Sequence, residues 1–147
     1  MPELKLERVR FRVWRGADLR LRGAAQAMTL RRDSSELAAT NLAAELPRGD
    51  APILITAPTG TGVMAQRDFE VHGGVTITQA ANVARTAAAR FQPVPGTGQM
   101  QVIGTDPVIV TGPAYQLEGT GFALDAASGD FQMQGPVQLH IRAAEAR

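Results

Sequence analysis

Asp68-Phe69-Glu70-Val71-His72-Gly73-Gly74-Val75-Thr76-Ile77-Thr78 alternates apolar and polar residues over its whole length. A period of two puts Phe69, Val71, Val75 and Ile77 on one face, the pattern of a half-buried antiparallel strand. The glycines in the middle interrupt it, and a glycine inside a strand marks a bulge or a sharp bend. The stretch recurs. Gly73, Gly104 and Gly135 are separated by 31 and 31 residues. Two apolar residues precede each at the same offsets: Phe69 and Val71, Met100 and Val102, Phe131 and Met133. A short apolar alternation follows each: Val75 and Ile77, Val108 and Val110, Val137 and Leu139, the last continuing to Ile141.

The repeat extends further. Phe91 matches Phe122 and Gly98 matches Gly129 at the same spacing. A weaker copy lies upstream, where Met28, Leu30, Leu37 and Ala39 fall on Phe122, Leu124, Phe131 and Met133. Each unit reads as strand, turn, strand with a glycine kink, then strand. One bend repeated in successive units predicts a curved, two-walled stack. Two alanine-rich segments pull the other way. Asp33 to Pro47 looks by itself like a capped helix, and Gln79 to Phe91 is also alanine-rich. The repeat register predicts strand for both, with turns over Pro47 to Pro52 and Pro93 to Gly98.

The opening segment alternates as well. Leu4 and Leu6, then Val9, Phe11 and Val13, are interleaved with Lys5, Arg8, Arg10 and Arg12, giving a strand with one apolar and one basic face. Residues 1–32 hold nine of the fifteen basic residues and three of the fourteen acids. This basic patch is either a solvated strand face that blunts unwanted edge pairing or a surface for lipid phosphates or an anionic membrane. The net charge of +1 argues against nucleic acid as the main partner.

The chain of 147 residues fits one domain, 1–147, and 44% hydrophobic content makes it globular rather than disordered. No cysteine is present, which excludes disulfides and thiolate metal sites. Only seven residues are aromatic (five Phe, one Trp, one Tyr), so the core is built from Val, Leu, Ile and Met, which suits an open sheet sandwich. No stretch approaches the roughly 18 apolar residues of a membrane helix. Met1-Pro2-Glu3 leads straight into alternation rather than a signal peptide, so the expectation is either a cytosolic protein or one whose targeting segment is not part of this sequence.

Catalytic chemistry finds little to work with. Pro95-Gly96-Thr97-Gly98 is followed by Gln99-Met100, where a phosphate loop needs Lys-Ser/Thr. Thr59-Gly60-Thr61-Gly62 fails the same test. The two histidines, His72 and His140, fall on the outward parity of their strands, with no partner acid or ligand aimed at them. Ser128 lacks the setting of a nucleophile elbow, and Asp33, Asp125 and Asp130 read as turn formers. Neither an enzyme, nor a metal, nor a cofactor is expected. What remains is the inward face: Phe69, Val71, Val75, Ile77, Phe91, Met100, Val102, Val108, Val110, Phe122, Leu124, Phe131, Met133, Val137, Leu139 and Ile141. These residues either fill a closed sandwich core or line two walls that stay apart and admit acyl chains.

Gly121-Phe122-Ala123-Leu124-Asp125, Gly129 to Gly135 and Pro136-Val137-Gln138-Leu139 resemble the repeat unit of the LptA/LptC-type, OstA-like proteins of lipopolysaccharide transport. Thr86 to Val110 and Phe69 to Ile77 repeat the pattern. Arg10-Phe11-Arg12-Val13-Trp14-Arg15-Gly16, followed by Asp18-Leu19-Arg20, is similar to the first strands of divergent LptC-like members. The resemblance covers nearly the whole chain and implies an all-β fold, an antiparallel β-jellyroll, V-shaped in section. Its apolar interior would carry acyl chains of lipopolysaccharide or a similar glycolipid. It implies a periplasmic, inner-membrane-associated protein of cell-envelope biogenesis and outer-membrane assembly. The partners it implies are an inner-membrane ABC transporter and an LptA-like bridge protein, joined by edge-strand pairing. Leu4, Leu6, Val9, Phe11 and Val13 would form the transporter-facing edge. Val137, Leu139 and Ile141 would form the handover edge, and Arg8, Arg10 and Arg12 would contact lipid phosphates. The LptC type carries an N-terminal membrane helix that this sequence lacks. A structural module that polymerises through its edges without lipid is the competing expectation.

Overall fold

A computed structural model describes residues 3–47, 51–94, 96, 99–126 and 128–142. The expected turns over 47–52 and 93–98 lie partly outside these residues. Among the described residues twelve strands form one antiparallel sheet: β1 (Glu3–Arg15), β2 (Asp18–Arg31), β3 (Glu36–Leu46), β4 (Ile53–Val63), β5 (Asp68–Gln79), β6 (Asn82–Pro93), β7 (Met100–Gly104), β8 (Val108–Thr111), β9 (Tyr115–Gly119), β10 (Gly121–Asp125), β11 (Phe131–Gln134) and β12 (Gln138–Ile141). A short 3-10 turn, Met64–Gln66, joins β4 to β5. The alanine-rich segments are strands β3 and β6, as the repeat register requires. Alanine's helix propensity loses because each segment finds a partner on both sides.

A crease divides the sheet. Arg8, Gln26, Asn41 and Pro58 lie in one line across β1 to β4, ending at Gly73-Gly74 in β5. At this line the backbone of alternate strands turns left-handed: Arg8 has φ 54°, Asn41 φ 50°, Gly73 φ 91° and Gly74 φ 107°. In β5 the two glycines oppose the single Ala87 of β6, which is a bulge. The facing of side chains resets here. In β3, Leu37 and Ala39 face inward before the crease and Leu42, Ala44 and Leu46 after it. In β4 the inward set is Ile53, Ile55 and Ala57, then Gly60.

The two halves of each long strand therefore belong to two walls. The first wall holds residues 3–7, 27–31, 36–40, 59–63, 68–72 and 88–93 of β1 to β6, then β7, β10 and β11. The second holds the other halves, then β8, β9 and β12. Past β6 the chain crosses between the walls in its loops. Gly104 ends β7 before the passage to β8, and Gly135 (φ 76°) lies between β11 and β12. The 31-residue repeat thus has a physical cause: each unit crosses the crease once in each direction. The packed core comprises Ile53, Ile55, Val71, Val75, Ile77, Phe91, Val102, Val108, Val110, Phe122 and Leu124 from both walls.

Candidate functional site: the space between the walls

Cross-strand partners share a face, so apolar residues line up in rows running edge to edge. On the first wall one row reads Leu4, Leu30, Leu37, Gly62, Phe69, Phe91, Val102, Leu124 and Phe131. On the second wall its counterpart reads Phe11, Gly23, Ala44, Ile55, Ile77, Ala84, Val110, Leu117 and Leu139. At the usual strand spacing each row spans about 40 Å.

Towards β1 the walls stand apart. An apolar cavity of about 200 Å³ is lined by Met28, Leu37, Ala39, Phe69, Val71 and Phe91 from one wall, and by Phe11, Val13, Leu21, Leu42, Ile55 and Ala57 from the other. A second cavity of about 250 Å³ shares Val13, Leu21, Phe69 and Phe91 with it and continues to Met100 and Val102. Arg20, Arg67 and Gln99 bring polar groups to this second space. Glycine makes room for the rings. Gly23 sits beneath Phe11, and Gly62 beneath Phe69.

The centre is closed. Val75, Val102, Val108, Phe122 and Leu124 are each at most 1% exposed. Phe122 stacks on Phe131 with centroids 5.3 Å apart. Thr86, the buried polar residue here, donates its hydroxyl to the Pro107 carbonyl at 2.9 Å, so its burial carries no orphaned group. Beyond the closure a third space of about 190 Å³ lies between Ile77, Ala84, Val110, Tyr115 and Leu117 on one wall and Leu124 and Phe131 on the other. The Tyr115 hydroxyl donates to Asn82 Oδ1 at its rim.

The predicted inward residues fall into three groups. Val71, Val75, Ile77, Phe91, Val102, Val108, Val110, Phe122 and Leu124 are buried in the core. Phe69, Met100, Phe131 and Met133 are half-buried against it. Leu139 and Ile141 pair with the inward Leu117 and Tyr115, yet are 55% and 72% exposed, and Val137 is exposed too. Among the described residues they face no opposite strand, because the first wall ends at β11.

The edge residues divide as well. Leu4 and Leu6 belong to the first wall and Val9, Phe11 and Val13 to the second, because Arg8 sits on the crease between them. Among the described residues β1 pairs only with β2, β11 only with β10 and β12 only with β9, so all three are edges there. Leu21, Met28, Leu37, Leu42, Ile55 and Ala57 also line the interior, beyond the inward residues that the alternation predicts. The upstream repeat copy already held the signal for Met28 and Leu37, which align with Phe122 and Phe131.

Polar pairs sit outside the walls. Thr59 Oγ1 lies 2.9 Å from the His72 carbonyl oxygen, to which it can donate, and 2.6 Å from His72 Nδ1. On the first wall Arg90 Nε donates to Asp68 Oδ1 at 2.8 Å, and its Nη2 bonds the other oxygen. This hydrogen bonding holds the Asp68 carboxyl below its ordinary pKa and raises Arg90. Ser128 N donates to Asp125 Oδ1, and Asp130 N to Ser128 Oγ, both at 3.1 Å, so Asp125 builds a turn as expected. Among the described residues no group of His, Cys, Asp or Glu is placed to hold a metal ion. Among the described residues no helix is long and apolar enough to cross a membrane.

No family model and no curated protein matches this chain. Among solved structures it is similar to LptH, the LptA-homologous periplasmic component of the lipopolysaccharide transport device of Pseudomonas aeruginosa. The TM-score is 0.58 at 14% identity, over 84% of this chain and 95% of that one. At that identity the likeness is one of fold: an all-β, antiparallel β-jellyroll, the class that the resemblance implies, with the two walls that the repeats predict.

Proposed function

We propose that this chain is a non-catalytic lipid carrier of the LptA/LptC kind, a single domain over 1–147. It takes acyl chains of lipopolysaccharide or a similar glycolipid between its walls. It passes them along a periplasmic bridge, from an inner-membrane ABC transporter to the next bridge protein. The observation that carries this reading is the apolar cavity at the β1 end, lying on residue rows that reach both ends of the sheet. The likeness in fold to LptH supports it.

Acyl chains entering the cavity exchange water for apolar contact, worth about 25 cal/mol per Å². Such transfer is passive, so its direction comes from an energy source outside the chain. The edges suit a bridge. β1 would face the transporter side and β12, with Leu139 and Ile141, the next protein, each by strand addition. Arg8, Arg10 and Arg12 are the candidate contacts for lipid phosphates, and Arg12 borders the cavity. The opening strand favours the LptC-like place in such a bridge.

The closed centre favours a second reading, an assembly module that polymerises through its edges and takes no lipid. Lipopolysaccharide binding separates the two. Met28→Asp, which puts a charge in the cavity at a half-buried position, should reduce binding at least tenfold with the fold retained. Unchanged binding by a folded Met28→Asp protein contradicts the carrier.

A further inference from the structure

The outer faces of the two walls differ in charge. On the first wall Arg90 is paired with Asp68, Arg31 lies 3.9 Å from Glu36 and opposite Glu3, and Lys5, with no ion pair among the described residues, stands between Glu3 and Glu7 on its strand. On the second wall Arg12 stands directly opposite Arg22, with Arg10 two residues along the same face. Glu45 bonds Arg22, and among the described residues neither Arg10 nor Arg12 has an ion-pair partner. Like charges directly opposite across a strand pair are destabilising. The three guanidinium groups surround a shallow depression whose floor is Ala24 and Ala43, with exposed Leu54 at its far side.

We infer that this outer face of β1 and β2 is a docking surface for an anionic bilayer. Small floor residues let the arginines meet phosphate groups without a side-chain barrier. Guanidinium forks match phosphate oxygens, and Leu54 adds an apolar contact. The surface lies on the outer side of the second wall, with Arg12 also bordering the cavity, and its test uses vesicles that hold no lipopolysaccharide. It would set the protein flat against a membrane with the β1 edge alongside.

The test is sedimentation of the full chain with vesicles of phosphatidylcholine alone or mixed with phosphatidylglycerol. The protein should bind only the anionic vesicles, less so as salt rises. The double variant Arg10→Gln/Arg12→Gln should bind about 30-fold more weakly, at about 1 kcal/mol for each charge near the surface. The control Arg31→Gln/Arg32→Gln, with the same change in net charge, should stay within about threefold of the parent protein. Thermal melts confirm that both pairs fold. Equal loss in the two pairs, or equal binding to both kinds of vesicle, overturns the inference. Lipopolysaccharide binding by Met28→Asp reads the interior separately, so one failure is distinguishable from the other.

Discussion

The ring of Phe11 lies over Gly23, its cross-strand partner: a Cβ on Gly23 would come within 2.6 Å of Phe11 Cζ and 2.5 Å of the Ala43 carbonyl oxygen. Phe69 over Gly62 and Phe122 over Gly104 repeat the arrangement. An aromatic side chain covering a cross-strand glycine helps pin register. Gly23→Ala should therefore displace both a ring and a backbone carbonyl, at about 1–3 kcal/mol. Thermal denaturation should show a fall in Tm of about 5–10 °C. An unchanged Tm would mean that the Phe11 ring moves freely, and with it the wall of the cavity.

Asn41 turns β3 at the crease with φ 50°, and its side-chain amide donates to Gln26 Oε1. Both groups are exposed, so the bond itself contributes little. The backbone conformation matters more, since a left-handed residue costs most side chains about 1–2 kcal/mol. Asn41→Gly should keep the parent stability, whereas Asn41→Val should lose about 1–2 kcal/mol in urea denaturation. Equal stability of the two variants would contradict a left-handed crease.

Phe122 closes the centre, and Leu139 lies beyond it in the open. Phe122→Ala should cost about 3–5 kcal/mol, the usual loss for a buried ring. Leu139→Ala should stay within about 0.5 kcal/mol. Chemical denaturation measures both. A small loss at Phe122 would mean that the walls do not meet there.

Asp68 binds Arg90 as a carboxylate, and its pKa lies below the ordinary value of 3.8. A depressed folded pKa gives stability that is present above the unfolded value and is lost as pH falls through the folded one. The Tm difference between parent and Asp68→Asn should therefore hold from about pH 7 to about pH 5 and shrink below about pH 4. Salt should also reduce it, because the pair is exposed. A difference that is constant down to about pH 2.5 would show that the charge is not its source.

The glycine repeat made the two-walled architecture legible, because Gly73, Gly104 and Gly135 each stand where the chain crosses the crease. Asn41 and Arg8 occupy the same place without being glycine. They escape a search for glycine, although the step from Leu6 to Val9 already shows the alternation resetting. The inward parity was legible, and openness was not. Parity fixes which side of a strand a residue faces. It does not say whether a second wall stands opposite. Val102 therefore ends in a closed core and Ile141 in the open, from the same alternation. The cavity at the β1 end depends on glycine and alanine opposite larger residues, and small residues carry no apolar signal of their own.

The central claim is that lipid enters between the walls at the β1 end. Photocrosslinking to lipopolysaccharide tests it, with a light-activated residue at Met28, which lines the cavity, and another at Ala38, which is exposed on the outer side of the same wall. The account predicts lipid adducts at Met28 and none at Ala38. Adducts at neither position, or equally at both, in a folded protein would contradict an interior lipid path and favour the assembly module.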